Sequence, residues 1–307
     1  MEEICVTVGV CARNSANTIQ EAITSIANQG FPHNLMELVI VDDGSADKTL
    51  EILQQLVSTT NTHTTIHSQR WRGLGVARNV IVQNARGRYI VWVDSDMKLP
   101  KDHVEKQVEF MERNPNVGAA KARYLRVNSK NTIVTLENCR DLFLRESSHI
   151  VGTGGAIYRV EAIREIGGFD PNIRGAGEDV DALLRMKEAG WLLSRTEAEF
   201  LEQFKERWED LWREYYWWGY GAHYVWHKHR GQISFTSRLP PVSFLAGLGR
   251  SLFAFKLYRR MVYLLLPFQN AFKDAAWILG FIRSHRKGYG HIFYPKQEYR
   301  PHRECMN

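Results

Sequence analysis

Tyr89-Ile90-Val91-Trp92-Val93-Asp94-Ser95-Asp96-Met97-Lys98 is the stretch that decides how this chain folds. It opens with four apolar residues, Ile90 to Val93. That run is short enough for a strand and apolar enough to be covered on both faces, as in the middle of a parallel sheet. It closes with two carboxylates one residue apart, and Pro100 ends the pattern. Open α/β sheets bind ligands at the carboxyl ends of their strands. Asp-x-Asp at such an end offers oxygen ligands to a hard divalent cation whose other ligands are phosphate oxygens. The same residues also suit a solvated turn, so the neighbouring segments must separate the two readings.

Upstream, Leu38 to Val41 reads as a second buried strand running into Asp42-Asp43-Gly44-Ser45. Asp47 is placed to cap a helix from Lys48 to Val57. Before these, Ile4 to Cys11 is a strand and Thr18 to Gln29 a helix with apolar residues at Ile19, Ala22, Ile23 and Ile26. Gly30-Phe31-Pro32 ends that helix. Thr59 to Thr65 is a polar connection and Ile66 to Ser68 a short strand, and the stretch Arg70 to Asn79 leads into a helix that runs to Ala85. The alternation predicts a doubly wound parallel sheet. Gly73-x-Gly75 is not a dinucleotide fingerprint, because position 78 is Arg and the pair is not in the first strand–helix turn.

Downstream, His103 to Asn114 is an amphipathic helix, Val117 to Tyr124 a strand and Thr132 to Glu146 a helix. Val151-Gly152-Thr153-Gly154-Gly155-Ala156 puts three glycines in four positions, which lets backbone approach a ligand. Gly167-Gly168-Phe169-Asp170 then precedes Gly177-Glu178-Asp179-Val180-Asp181. Acids favour the start of a helix, but three in four positions exceed what a cap requires.

The 307 residues are 44% hydrophobic, enough for a large core. Cys5, Cys11, Cys139 and Cys305 form no C-x-x-C pair, which argues against structural zinc or a disulfide framework and for a reducing compartment. The start of the chain lacks the basic opening of a signal peptide, and no apolar run reaches the roughly 18 residues of a spanning helix. Residues 1–200 carry 23 Lys+Arg against 26 Asp+Glu, whereas residues 201–307 carry 17 against 8. Asp274 is the only acid between Gly219 and Gln297. The chain therefore divides into residues 1–205 and a basic region, 206–307, that faces something anionic.

The ordered motifs resemble the family 2 glycosyltransferases of GT-A fold. They are Val39-Ile40-Val41-Asp42-Asp43-Gly44-Ser45-x-Asp47-x-Thr49, Ala77-Arg78-Asn79, the Asp94-Ser95-Asp96 strand end, and Gly167-Gly168-Phe169 through Gly177-Glu178-Asp179. The resemblance covers about residues 4–195 and implies a doubly wound mixed sheet flanked by helices, followed here by an α-helical basic and aromatic extension. It further implies a nucleotide-sugar donor and inverting transfer to an acceptor hydroxyl. By the same resemblance Asp43 contacts the donor base, Asp94 the ribose, and Asp96 holds Mg²⁺ or Mn²⁺ against the diphosphate. Asp179 matches the general base, with Glu178 and Asp181 in support, and Gly154, Gly155 and Ala156 line the sugar and acceptor side. Arg78 either adds positive charge near the nucleotide or lies on a helix surface.

This sequence departs from that pattern in three places. Cys11-Ala12-Arg13-Asn14 replaces the usual Pro-Thr-Tyr-Asn, removing an aromatic at position 13. Glu199 to Phe204 contains no His to ligate the metal. Gln203-x-x-x-Arg207-Trp208 is one residue longer than the signature of processive synthases.

From Trp208 to Trp226 nine aromatic residues crowd nineteen positions, for packing on the catalytic domain, acceptor stacking or a membrane belt. His223, His227 and His229 include an i, i+4 pair that reads as a solvated basic face in the absence of further ligands. Gly231 to Lys287 mixes large apolar residues with Arg and Lys every few positions, as in helices lying in a membrane interface. The expectation is a cytoplasmic enzyme, peripheral on the inner face of the cell membrane, with a glycan or polyprenol-linked acceptor and no nucleic-acid partner. The competing class is a non-catalytic nucleotide-sugar or membrane-binding scaffold that has kept the fold.

Overall fold

The computed structural model describes residues 3–57, 60–139, 152–173, 175–229 and 236–289. The expectations for residues 140–146, Val151, residues 231–235 and Cys305 lie outside them. In chain order the first elements are β1 (Val6–Ala12), α1 (Ile19–Ala27), β2 (Met36–Asp43), α2 (Thr49–Val57), β3 (His63–Gln69), α3 (Leu74–Asn84) and β4 (Tyr89–Asp94). They are followed by β5 (Met97–Lys98), α4 (His103–Arg113), β6 (Val117–Tyr124), α5 (Thr132–Glu137), β7 (Ala156–Arg159), α6 (Val160–Glu165), α7 (Glu178–Glu188) and β8 (Leu192–Glu202). The last helices are α8 (Trp208–Lys228), α9 (Pro240–Tyr258) and α10 (Leu266–Arg286).

The strands lie in the order β3-β2-β1-β4-β7-β6-β8-β5. β1 to β4 are parallel, as the βαβ alternation requires, but β7 runs antiparallel to β4 and β6 antiparallel to β7. The sheet is therefore mixed. Its register places Cys11 opposite both Val41 and Asp94, so the acids ending β2 and β4 emerge along one edge.

The reading of β4 as a strand covered on both faces follows the pleat. Tyr89, Val91 and Val93 join a core with α1 and α4 residues such as Ile23 and Val104. Ile90 and Trp92 join another with Ala77 and Ile81 of α3 and Leu183 and Met186 of α7. Trp92 meets Tyr158 and Phe169 edge-on at 6.0 and 5.5 Å.

The helix α8 fixes the C-terminal region to this sheet. A Cβ on Gly219 would strike the Trp277 carbonyl, one on Gly280 the Tyr216 carbonyl, and one on Gly221 the Ala176 carbonyl. Only glycine lets α8 approach both α10 and the turn before α7 so closely. Lys273 of α10 also reaches Glu137 of α5 at 2.8 Å. Among the described residues no helix is long and apolar enough to cross a membrane.

Candidate active site

Two turns interlock at the carboxyl edge of the sheet. Asn14, at φ 51°, accepts from the Ala46 N–H at 2.8 Å, while its own N–H donates to Ser45 Oγ at 3.0 Å. Asn tolerates this left-handed conformation better than most residues. Asp47 accepts from the Thr49 N–H at 3.0 Å, as expected of a capping residue. The Ser15 and Ser95 hydroxyls lie 2.7 Å apart and join the first turn to Asp94-Ser95-Asp96.

Asp43 is buried, and both its oxygens are engaged. Oδ1 accepts from Gln69 Nε2 at 2.8 Å and the Arg72 N–H at 2.9 Å, and Oδ2 from the Gly73 N–H at 3.0 Å. It thus holds the loop between β3 and α3. That loop carries Trp71, 53% exposed, with the Arg13 guanidinium 4.8 Å over its ring. Arg13 stands where an aromatic was missing, and Trp71 supplies one beside it. The sequence signal was an aromatic flanked by Arg70 and Arg72 directly after a strand.

Arg78 is buried rather than on a helix surface. Its guanidinium pairs closely with Glu178 and reaches Asp94 Oδ1 at 3.4 Å. Burial works against its charge, but Glu178, Asp94 and Asp179 outweigh that and raise its pKa. Burial also raises Glu178, with Asp179 adding to the shift and Arg78 opposing it. Asn79 links the motifs: it donates to the Phe169 carbonyl and accepts from the Phe169 N–H, both at 2.8 Å. Ala77-Arg78-Asn79 therefore needs the Gly-Gly-Phe turn some 90 residues later.

Gly152 to Gly155 spans the gap between the two carboxylate groups. A Cβ on Gly152 would lie 3.7 Å from Asp179 Oδ2, and one on Gly154 would strike Asp94 Oδ2. Gly155 at φ 67° faces the Phe200 ring. Ala156 follows as the first residue of β7. The buried Lys121, which carried no expectation, donates to the Gly154 carbonyl.

Asp96 is pushed up to about 6 by burial and by the charges of Asp94 and Glu202, against the pull of Lys205 at 3.8 Å. This all-oxygen, electron-rich set fits a hard divalent cation. Burial pushes the Cys11 thiol up to about 12, so it stays protonated.

The three acids of α7 have different environments. Glu178 is buried against Arg78. Asp179 is half-buried, with Oδ1 accepting from the Val180 N–H at 2.8 Å. Asp181 is fully buried, with Arg185 and Lys228 each at 2.7 Å and His229 at 2.8 Å. Lys228 also binds Asp170 at 2.7 Å, so the end of α8 is clamped to α7 and the turn before it.

The family model described as glycosyl transferase family 2 matches residues 7–167, and one described as glycosyl transferase family group 2 matches residues 89–283. TuaG of Bacillus subtilis, a candidate teichuronic acid biosynthesis glycosyltransferase, is 40% identical over 98 residues, 32% of this chain and 38% of TuaG. The poly(ribitol-phosphate) beta-N-acetylglucosaminyltransferase TarS of Staphylococcus aureus is 33% identical over 101 residues, 33% of this chain and 18% of TarS. The matched stretch thus spans well under two-thirds of either relative. The mannosyltransferase PcManGT of Pyrobaculum calidifontis, solved with GDP-Man and Mn²⁺, superposes over 92% of this chain and 87% of its own. The TM-score is 0.67 at 19% identity, a likeness of fold. That fold is GT-A.

Proposed function

The chain belongs to glycosyl transferase family 2, and from that premise we propose that it moves a sugar from a nucleoside-diphosphate donor to an acceptor hydroxyl with inversion. One observation carries the reading: the Gly152–Gly155 turn reaches from Asp94 at the end of β4 to Asp179 at the start of α7. A sugar on that turn would have the diphosphate site on one side and a carboxylate on the other.

In this reading Asp96, with Asp94 beside it, would hold Mg²⁺ or Mn²⁺, which when bound would supply Lewis-acid stabilisation of the diphosphate's charge. Asp94 also faces the ribose, and Arg78 keeps Asp94 and Glu178 in position. Asp43 acts on the nucleotide through the loop it holds, where Trp71 offers the base an aromatic face. Asp179 takes the proton from the acceptor hydroxyl as that oxygen bonds to the anomeric carbon. The bond from that carbon to the nucleoside diphosphate breaks on the opposite side. Glu178 and Asp181 are bound to cations and support the helix, which leaves Asp179 for this task. PcManGT was solved with GDP-Man and TarS with UDP-GlcNAc, so donors of this class suit the fold.

The acceptor is a lipid-linked or cell-surface glycan, and α9 docks on the anionic inner face of the membrane. Its buried residues are Ser243, Gly247, Ser251 and Ala254, while Val242, Leu245, Leu248, Leu252 and Phe253 face outward. Lys256, Arg259 and Arg260 are exposed at the end of the same helix. Large apolar residues outward beside cations suit an interfacial helix.

The test is a thermal-shift screen of nucleoside diphosphates and nucleotide sugars, with and without Mn²⁺, on wild type and Asp96→Ala. A ligand of the native state raises the melting temperature according to its affinity. Wild type should show a Mn²⁺-dependent shift and transfer from the selected donor, and Asp96→Ala should lose both. Equal donor turnover in the two proteins, with or without chelator, would overturn the role of Asp96.

A further inference from the structure

We propose that His223, His227 and His285 form a second metal site, a three-histidine centre for zinc that ties α8 to α10. His223 and His227 sit one turn apart on α8, and His285 comes from the last turn of α10. His223 is not on a solvated face but is fully buried. Its Nε2 is 3.0 Å from His285 Nδ1 and 3.1 Å from His227 Nε2, and the three ligand atoms all lie within 4.8 Å of one another. Zn–N bonds of about 2.0–2.1 Å in a tetrahedron put nitrogens roughly 3.3 Å apart. The two pairs that share His223 Nε2 are close to that spacing, and the His227–His285 pair, within 4.8 Å, would draw in around the ion.

The surroundings support the same reading. His223 Nδ1 lies 2.7 Å from the Tyr289 carbonyl, to which it can only donate. That hydrogen bond fixes the tautomer and leaves the Nε2 lone pair aimed at the other two rings, as in the outer shell of metal-binding histidines. Phe281 packs edge-on against His223 at 4.8 Å, and Trp226 against His227 at 4.9 Å. His229 does not take part; it binds Asp181.

The ring positions follow from the helix crossing. Gly219 against the Trp277 carbonyl and Gly280 against the Tyr216 carbonyl set how closely α8 and α10 approach. His285 reaches His223 because of that approach. The donor set is all imidazole, which selects zinc or a similar transition metal over Mg²⁺ or Ca²⁺. His227 is half-buried and His285 exposed, so a water can complete the coordination from outside. The site is thus chemically distinct from the oxygen-rich Asp94–Asp96 pair.

The test strips the full chain with chelator and titrates it with Zn²⁺ while following thermal unfolding, with Co²⁺ as a spectroscopic probe. Wild type should bind one zinc equivalent, melt at a higher temperature when loaded, and give the visible bands of tetrahedral Co²⁺. His285→Gln lies at an exposed position and should keep its helical circular dichroism. Its zinc affinity should fall by more than the roughly 10–100-fold that loss of an outer-shell partner costs. His227→Gln should behave alike, and Asp96→Ala should bind zinc as wild type does. Any of three results overturns the site: no shift with zinc, equal shifts in wild type and folded His285→Gln, or a shift abolished by Asp96→Ala but not by the histidine variants.

Discussion

On β4 the largest side chains, Trp92 and Tyr89, are buried, whereas on α9 the residues that face inward are all small: Ser243, Gly247, Ser251 and Ala254. Both faces of β4 are covered, the acids at its end meet Arg78 and Lys205, and Asp181 of α7 meets Arg185 and Lys228. The helical region leaves Leu245 65% and Met261 68% exposed in a stretch with hardly any acid. Large exposed apolar side chains gathered in one region suit an interaction surface. In the proposed function one region holds the chemistry and the other offers its surface to a membrane. Changes in one should therefore leave the readout of the other intact.

The largest effect belongs to the region built on the sheet, at the start of α7. Asp179→Asn should lower transfer by about the 10²–10⁴-fold typical of an acid–base residue while donor affinity and vesicle binding stay unchanged. Single-turnover rates beside nucleotide titrations check this. Lost nucleotide affinity with turnover retained would shift the base to Glu178 or Asp181.

The joint between the regions comes next. Burial disfavours the charge on Asp181, but His229, Arg185 and Lys228 outweigh it and hold the carboxyl down at about 2. Removing one partner from a buried ion cluster costs about 3–5 kcal/mol, so Asp181→Ala should shift the denaturant midpoint strongly at neutral pH. The sign with pH follows from the depressed value. The contribution is complete above the ordinary carboxylate range near 3.9 and is lost as pH falls toward about 2. The gap between wild type and Asp181→Ala should start to close below about pH 4. A gap that stays constant down to pH 3 would mean that the ion pairs contribute little.

Much of the sheet was legible because its strands are short apolar runs ending in polar turns, and the period of β4 reports both faces at once. β8 was missed because Arg195, Glu197, Glu199 and Glu202 mask its inward residues, Thr196, Ala198 and Phe200. The end of β4 could be read as a candidate site because its two acids stand in order with the other motifs of the resemblance. The burial of Arg78 could not, since its partner Glu178 lies a hundred residues away. The histidine cluster was out of reach for the same reason: His285 joins His223 through a helix crossing set by Gly219 and Gly280. For Asp43 the resemblance implied a contact to the donor base; its hold on Gln69 and the Arg72 and Gly73 amides could not be read from the motif, because these partners lie 26 to 30 residues away.

A smaller change refines the donor side. Aromatic stacking contributes about 0.5–1.5 kcal/mol beyond area, so Trp71→Ala should weaken the selected nucleoside diphosphate by up to roughly tenfold. The turnover of bound donor should hold. Unchanged affinity by calorimetry would remove Trp71 from the base site.

The smallest expected effect tests the helical region alone. Lys256 is exposed one turn after Leu252 on the outward apolar face of α9. A cation near an anionic leaflet contributes about 1 kcal/mol, so Lys256→Gln should weaken binding to vesicles rich in anionic lipid by about fivefold. The loss should fade as salt screens the surface, over a Debye length of about 8 Å at physiological ionic strength. Neutral vesicles should bind both proteins alike, and the unfolding midpoint should move by less than about 0.5 kcal/mol, as for an exposed side chain with no buried role. Sedimentation of the whole chain with vesicles of graded composition measures this. If wild type stays in the supernatant at low salt whatever the lipid, the apolar face of α9 meets protein rather than membrane. A concentration-dependent dimer would then be the partner to seek, and Lys256→Gln would leave it intact.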